Sequence, residues 1–486
     1  MNNDKIIETI GDIDPEFIKE ARPKSRSGLA VRMASLAAAL ILLAGACIAL
    51  PKLISGKSPG PGQVEAFVSD LPNHSVPATA TPEFEGCLVR EPEKRACVSY
   101  GDGDDPEWAA ALSARKEAGE AVAPMDGFMN KVTTELMKSG DNAVWSPASV
   151  YLALAMLAEC AGGDTQNEIV ALLGANDMEA VRRSAKALLE ADNYDDGSVK
   201  SSLADSLWLR NSFGFDTETV ERLAEIYGAS IYWGDPADEE YGKARRDWLD
   251  CSANGLLEGP VNGLEMDPTM LMGVCSAAEI TGGWEASYKR IHQNSYNHMA
   301  FFGVNGKTYP DFIIKETIET GEFYYGENFR AAFDNIGKAG NKILFISPDQ
   351  GVSLETVLSE LELSKIIANK STGTLKLTAP VLDIEADNDM IPVLRAAGLD
   401  DCLSFERADF SGLAKGEEVA LTEFRHAARV IMDENGVSAA AYSNGGVGYL
   451  AYYQDSMTLR LDHPYAFIIL GVSGAPLMMG VVKNVN

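Results

Sequence analysis

The side chains that enzymes use for acid–base and nucleophilic chemistry are few and scattered in this sequence. Its five histidines are His74, His292, His298, His426 and His463. No H-E-x-x-H, G-x-S-x-G or glycine-rich phosphate-binding motif occurs, so metalloprotease, α/β-hydrolase and nucleotide-dependent reactions lack their starting residues. The S-x-x-K pattern from Ser113 to Lys116 has no companion motif, and we interpret it as a chance occurrence. The sequence therefore predicts no catalytic residue, no metal site and no cofactor.

Cysteine spacing and net charge exclude two further classes of function. None of the seven cysteines has the spacing of a zinc site, and only Cys87 and Cys97 lie near enough in sequence to suggest a disulfide. The formal net charge is −30, whereas nucleic-acid binding needs clustered lysine and arginine. We interpret the acidity as a solvated surface that favours solubility.

A run of small residues marks the stretch from Asp433 to Pro464. The small residues at alternate positions are Val437, Ala439, Ala441, Ser443, Gly445 and Val447. Because alternate residues of a strand face opposite sides, this segment could present one small face to a tight core, with Tyr442 and Asn444 on the other face. Three glycines between Gly445 and Gly448 argue against a helix. We predict an exposed loop with latent strand character; the alternative is an ordinary surface loop before a hairpin.

Two strong strand patterns follow this loop. They are YAFIIL from Tyr465 and PLMMGVV from Pro476, separated by a turn between Gly471 and Gly474. An alanine-rich hinge, a loop, and the sequences DHPYAFII and GAPLMMGVV together resemble the reactive loop and C-terminal hairpin of serpins. In that family a target protease cleaves the loop, and the cut loop then inserts into a sheet as a new strand.

The resemblance implies a hinge and a reactive bond. The hinge residues are Glu434, Gly436, Val437, Ser438, Ala439, Ala440 and Ala441. Val437 and Ala439 are expected to enter the sheet after cleavage. In inhibitory serpins the residue at the cut usually lies sixteen positions after the hinge glutamate, which here places the bond between Leu450 and Ala451. Leucine implies a serine or cysteine protease with an apolar primary pocket, such as a chymotrypsin-like, elastase-like, subtilisin-like or papain-like enzyme. A trypsin-like enzyme finds no Lys or Arg between Glu434 and Arg460, so it is not expected to be a good target.

The region from Asn142 resembles the second and third helices of the same family. It reads NAVWSPASVYLALAMLAECAGGDTQNEIVALLGA, in which Ser146 and Pro147 suit the cap and first turn of a helix. Thr165 and Glu168 suit a capping box for the next helix.

Further segments match the family in order, so that the resemblance covers residues 124–486. ADSLWLR from Ala204 resembles a strand, RRDWLDCSANGLL around Trp248 resembles the long helix across the main sheet, and ITGGWEASY with Trp284 resembles the top of that sheet.

The resemblance also implies a gate at the centre of the main sheet. Ser146, Ser149 and His426 match the family there, and the family gives His426 a structural switch role. Ser276 departs from the usual asparagine, and Ile280 departs from the usual aromatic residue. The hydrogen bonds of the gate are therefore expected to differ.

The N-terminal part contains a candidate membrane anchor. Residues 33–50 carry no charge, and as a helix they would rise roughly 27 Å, close to the thickness of a bilayer core. Basic residues between Arg22 and Arg32 precede this stretch, which places the N-terminus in the cytoplasm and the rest outside. A cleaved signal peptide and lipid attachment at Cys47 are the alternatives. Residues 51–82 are rich in proline and read as a spacer, and no pattern assigns residues 83–120.

These observations give a domain organisation. We predict a short cytoplasmic segment (1–27), a transmembrane helix or signal anchor (28–54), a linker (55–120) and a serpin domain (121–486). The resemblance implies an α+β fold with three β-sheets, about nine helices and an exposed reactive loop.

The implied function is suicide inhibition of serine, and also cysteine, endopeptidases by a monomer. The implied location is the cell membrane, in an envelope of bacterial type, with the serpin domain extracellular. A non-inhibitory serpin that acts as a binding or structural module is the alternative. An envelope hydrolase would need a nucleophile and a base that the sequence lacks.

Overall fold

The computed structural model describes residues 88–92, 105–252, 265–293, 298–315, 319–414, 418–437 and 455–485. The α-helices in these ranges are α1 (Pro106–Gly119), α2 (Asp126–Leu136), α3 (Pro147–Cys160), α4 (Gly163–Leu172), α5 (Met178–Asp192), α6 (Thr217–Tyr227), α7 (Glu239–Ser252), α8 (Leu354–Ser359), α9 (Leu363–Ala368) and α10 (Met390–Ala397). A 3₁₀ helix at Met137–Ser139 follows α2.

The strands of the described ranges number twenty. They are β1 (Leu88–Arg90), β2 (Ala143–Trp145), β3 (Tyr194–Asp195), β4 (Val199–Arg210), β5 (Ala229–Gly234), β6 (Met272–Gly283), β7 (Tyr288–Ile291), β8 (Phe301–Gly303), β9 (Gly306–Thr308), β10 (Phe312–Lys315), β11 (Glu319–Tyr325), β12 (Phe329–Ile336), β13 (Asn341–Pro348), β14 (Ser371–Pro380), β15 (Leu382–Asp389), β16 (Leu421–Met432), β17 (Gly436–Val437), β18 (Ser456–Arg460), β19 (Tyr465–Leu470) and β20 (Pro476–Val482).

The strands form three sheets. The main sheet has eight strands in the order β1-β5-β4-β6-β17-β16-β15, with β3 paired to β4. The second sheet has ten strands in the order β2-β20-β19-β13-β12-β11-β14-β10-β7, with β18 paired to β14, and β8 and β9 form a separate hairpin. The predicted α+β class and three sheets are confirmed, and the described residues hold ten α-helices where about nine were expected.

The main sheet is buried on both faces. Its inner face packs against α3, in which every residue is buried, as its almost uninterrupted apolar sequence predicts. Its outer face packs against α7, where Tyr241, Trp248 and Leu249 join Cys275 and Ala277 of β6 in a second apolar cluster. A sheet covered on both sides can receive another strand between two existing ones without exposing apolar surface.

The two predicted helix caps had different outcomes. Ser146 caps α3 as predicted, since its hydroxyl accepts a hydrogen bond from the Ser149 backbone N–H at 3.0 Å and Pro147 opens the helix. The capping box at Thr165 and Glu168 is wrong, because α4 begins at Gly163 and has no side-chain cap. Both side chains bind distant backbone instead, Thr165 accepting from the Asp409 N–H and Glu168 from two N–H groups near α10.

The region predicted as linker contains folded structure at its C-terminal end. Trp108 of α1 donates from Nε1 to the Asp196 carboxylate at 3.0 Å, and Arg115 lies 3.8 Å from the same carboxylate and over the Tyr194 ring. Strand β1 pairs with β5 at the edge of the main sheet. These contacts join residues far apart in sequence, which explains why no local pattern assigned residues 83–120.

The candidate anchor at residues 33–50 lies outside the described residues. Within them, no helix has both the length and the apolar character needed to cross a membrane.

Candidate functional site

The centre of the main sheet holds two parallel strands that separate at one end. Strands β6 and β16 pair directly from Met272 opposite Leu421 to Ala278 opposite Ala428. Beyond that point β17 lies between them, with Val437 opposite Gly282 of β6 and opposite Met432 of β16. The chain after Met432 therefore turns back and begins an antiparallel strand inside the sheet.

This arrangement corrects one expectation about the hinge. Val437 was expected to enter the sheet after cleavage, yet it is already paired and has no exposed surface. Gly436 is needed at this point, because a Cβ atom there would lie 2.2 Å from the Gly282 carbonyl oxygen. Gly436 and Val437 of the hinge are thus already part of the sheet in the uncut protein.

The hinge is positioned by the turn from Asp433 to Asn435, which Trp284 stabilises through two hydrogen bonds. Trp284 donates from its indole N–H to the Asp433 carbonyl at 2.7 Å, and its backbone N–H donates to the Asn435 carbonyl at 3.2 Å. The Asp433 side chain closes the turn by accepting from the Asn435 N–H at 2.7 Å. Trp284, which sequence analysis placed at the top of the main sheet, therefore fixes the direction in which β17 starts.

Arg290 is a hinge contact that sequence analysis missed. Its Nη1 lies 3.4 Å from a carboxylate oxygen of Glu434, and its Nε donates to Asp311 at 2.9 Å. Both carboxylates are partly exposed, so this ion pair orients the hinge more than it stabilises the fold. Because the three residues lie on separate elements, no sequence motif joins them.

The gate residues meet where β6 and β16 are still paired. The Ser149 and Ser276 hydroxyl oxygens are 2.7 Å apart, and Ser276 lies 3.2 Å from Nδ1 of His426. On the other side of the ring, the Ser146 backbone N–H donates to Nε2 of His426 at 2.8 Å. All four residues have no exposed surface. The structure brings together Ser146, Ser149 and His426, as the resemblance implied, and Ser276 completes the group.

The protonation state of His426 follows from its partners. Because the Ser146 N–H can only donate, Nε2 must be the acceptor, so the ring proton of the neutral imidazole lies on Nδ1 and points at Ser276. Burial lowers the pKa of His426 to about 4. The ring is therefore neutral at physiological pH, and it links α3 to β6.

The hydrogen bonds of the gate were expected to differ because Ser276 stands where the family usually has asparagine. The serine at position 276 is short, but its hydroxyl reaches both Ser149 and His426. Ser149 also donates to the Ala277 carbonyl at 3.2 Å. Hydrogen bonds from Ser146 and Ser149 thus connect α3 to both central strands, to β6 through Ser276 and to β16 through His426.

Several predicted residues lie outside the described residues. They are Ser438, Ala439, Ala440, Ala441, Leu450 and Ala451 of the reactive loop, and Cys87 and Cys97 of the suggested disulfide. Within the described ranges, no three metal-ligating side chains cluster, and Cys160, Cys251, Cys275 and Cys402 are free.

Comparison with known proteins places these features in a family. A family model described as Serpin (serine protease inhibitor) matches residues 125–485. An uncharacterized serpin-like protein of Thermococcus kodakarensis is 26% identical over 377 residues, covering 75% of this chain and 85% of that protein. Serpin B9 of Homo sapiens is 25% identical over 337 residues, covering 68% of this chain and 89% of that protein.

Two solved structures support the fold. The native state of tengpin, a thermophilic serpin, aligns with a TM-score of 0.66 at 21% identity, covering 81% of this chain and 98% of that one. Thyroxine-binding globulin in complex with thyroxine aligns with a TM-score of 0.64 at 19% identity, covering 76% and 99%.

Proposed function

The chain belongs to the serpin family, and from that premise we propose that it is a suicide inhibitor of serine endopeptidases, with cysteine endopeptidases as a second target class. The serine hydroxyl or cysteine thiol of the protease attacks the Leu450 carbonyl, the bond to Ala451 breaks, and the new amine of Ala451 takes the proton that the nucleophile gives up. The acyl-enzyme is then trapped when the cut loop inserts between β6 and β16 before the ester or thioester is hydrolysed.

The observation that carries this proposal is that β17, the first part of the loop, is already paired within the main sheet. Two residues of the loop already lie between β6 and β16, in antiparallel register with both. Insertion therefore needs no new nucleation, because each further residue extends a strand that exists. It does require the β6–β16 pairs from Met272 to Ala278 to separate.

Extending the register of β17 gives each loop residue a position in the inserted strand. Each step forward along the loop would move one step back along both β6 and β16, so Ala441 would lie between Ala278 and Ala428. On the same count Ser443 would lie between Ser276 and His426 of the gate. A serine at this position can donate to one of these partners and accept from the other, so the gate would close again around the new strand.

The opposite face of the inserted strand supports the same register. Tyr442 would lie between Ala277 and Ala427, below the α7 cluster that contains Tyr241 and Trp248. Two alanines leave room for an aromatic ring, and an apolar cluster above them would bury it. The alternation of small and bulky residues in the loop thus matches the two faces of the gap.

The free energy of insertion is favourable on this count. About thirteen residues would add backbone hydrogen bonds worth roughly 0.5–1.5 kcal/mol each, or on the order of 10 kcal/mol in total. The three glycines from Gly445 to Gly448 would subtract roughly 0.5–1 kcal/mol each. The balance favours insertion.

A protease panel tests the proposal. We expect subtilisin-like or chymotrypsin-like enzymes to form a covalent complex with the full chain that survives a denaturing gel, and trypsin to form none. Mass spectrometry should show a released C-terminal fragment beginning at Ala451. Cleavage without a complex would support the non-inhibitory alternative, and a fragment beginning beyond Tyr453 would show that the bond is placed wrongly.

We also propose that residues 33–50 anchor the chain in a cell membrane, with the serpin domain on the outer side. The uncharged stretch and the basic residues before it support this orientation. Protease shaving of intact cells should cut near Tyr449 and leave residues 1–27 protected. Release of the whole chain into the medium would refute the anchor.

A further inference from the structure

A buried aspartate lies in line with the gate. Asp205 of β4 pairs with Ser276 of β6, which pairs with His426 of β16, which pairs with Asn388 of β15. Directly paired residues face the same side of a sheet, so the four side chains form a row across four strands, on the face that α3 covers. Asp205 is 2% exposed.

The carboxyl group of Asp205 lacks the partners that a buried acid needs. Among the described residues, neither of its oxygens has a hydrogen-bond partner of normal geometry. Burial raises its pKa well above the ordinary value, and the Ser276 hydroxyl offsets this only partly. At the level of Asp205, the elements around it contribute Ser149 from α3, Ala229 from β5 and Ser276 from β6.

Among the described side chains, no charged group compensates for this carboxyl. None of them contributes a charge that shifts the pKa of Asp205, and the other titratable group of the row, His426, is neutral at physiological pH. In the closed sheet Asp205 must therefore either stay ionised without a partner or bind a proton at a pH at which a carboxyl group in water is ionised. Both alternatives cost free energy while the core excludes water.

We propose that buried Asp205 destabilises the closed main sheet and thereby promotes the separation of β6 from β16 during loop insertion. Separation removes His426 from Ser276 and opens the row to water, which solvates the carboxyl group. The cost of burying Asp205 is thus largest in the closed sheet and smaller in the open one. This inference rests on the proposed function for its biological role, but its physical content is the opening of the sheet.

Hydrogen exchange of the full-length protein tests the inference without a protease. At neutral pH, Asp205→Asn should slow exchange about tenfold in peptides that cover Met272–Ala278 and Leu421–Ala428, because the amide carries no charge to bury. Asp192→Asn is the matched control. Asp192 is also fully buried, but it accepts bonds from Ser473 and lies outside the row. It should leave exchange in those peptides unchanged.

The pH dependence gives a second readout. The folded-state pKa of Asp205 is raised, so its cost grows as pH rises and disappears once the group is protonated. The exchange-rate ratio of wild type to Asp205→Asn should therefore shrink as the pH falls, and any effect of His426 cancels in this ratio.

Three outcomes decide the inference. Exchange in Asp205→Asn that equals or exceeds the wild-type rate would overturn it, and so would equal slowing in Asp192→Asn. If Asp205→Asn does not fold, Asp205→Ser must show the same slowing. Formation of a complex between the wild-type protein and a protease is measured separately. Slower exchange in Asp205→Asn, without a complex of the wild-type protein, would support the destabilising role of Asp205 and reject the inhibitory function.

Discussion

At the scale of residues, the gate shows how a few hydroxyl groups and one neutral imidazole replace the expected asparagine. His426 receives a hydrogen bond from the Ser146 N–H and points its own proton at Ser276. A second proton on the ring would face the Ser146 N–H, which is itself a donor. The gate is therefore built for the neutral form of histidine.

A pH titration of stability tests this account of His426. Its pKa of about 4 in the folded protein is lower than the ordinary value, so the folded state binds fewer protons, and stability is lost as the pH falls from about 6.5 to 4. The loss should be on the order of 3 kcal/mol and absent in His426→Gln. Urea unfolding of both proteins at several pH values measures it. Parallel pH profiles would contradict the assignment.

Resemblance of the sequence to a known family revealed part of the site. Glu434, the alanines after it, Trp284 and the serine–histidine gate were all found by resemblance. Asp205 and Arg290 were not found, because their importance depends on which strands lie side by side. The burial of Val437 also could not be predicted, since sequence does not show how far the loop enters the sheet of the uncut protein.

At the scale of elements, β17 is a short strand whose continuation would alternate between two different environments. On the register of β17, Ala441 would face the inner core between Ala278 and Ala428. Ala440 would face outward between Glu279 and Arg429. Adjacent positions should therefore respond differently to the same charge.

We expect Ala441→Arg to be cut by a target protease without forming a complex, because a buried unpaired charge costs several kcal/mol and delays insertion. Ala440→Arg is the matched control and should keep most of the inhibition, since its side chain stays on the outer face beside Glu279. The ratio of inhibitor to protease needed for full inhibition measures the effect. Equal ratios for the two variants would contradict the register. Val437 is unsuitable for this test, because it is buried before cleavage.

Helix α1 illustrates an element that local sequence patterns could not assign. Its Trp108 is buried and donates to Asp196, and this partner lies 88 positions away. Trp108→Ala should lower the free energy of unfolding by about 3 kcal/mol. The control is Trp233→Ala, which removes a tryptophan that is 37% exposed and should cost clearly less. Thermal unfolding measures both losses. A loss for Trp108→Ala that is no larger than the loss for Trp233→Ala would mean that α1 is not part of the cooperative fold.

At the scale of the whole molecule, the order of motifs predicted the architecture better than any single pattern. The family model covers residues 125–485, close to the span from 124 to 486 that the resemblance gave. The folded body extends further, because β1 and α1 precede that span and pack on it. Long-range contacts of this kind leave no periodic signal in a short, charged segment.

The central claim is that the uncut sheet is incomplete and that the cut loop completes it. Cleaving the loop with a protease that is then removed, and recording thermal unfolding before and after the cut, tests it most directly. Insertion worth on the order of 10 kcal/mol should raise the unfolding midpoint by more than about 10 °C, with both fragments still associated. A midpoint that stays the same or falls after cleavage would contradict the claim.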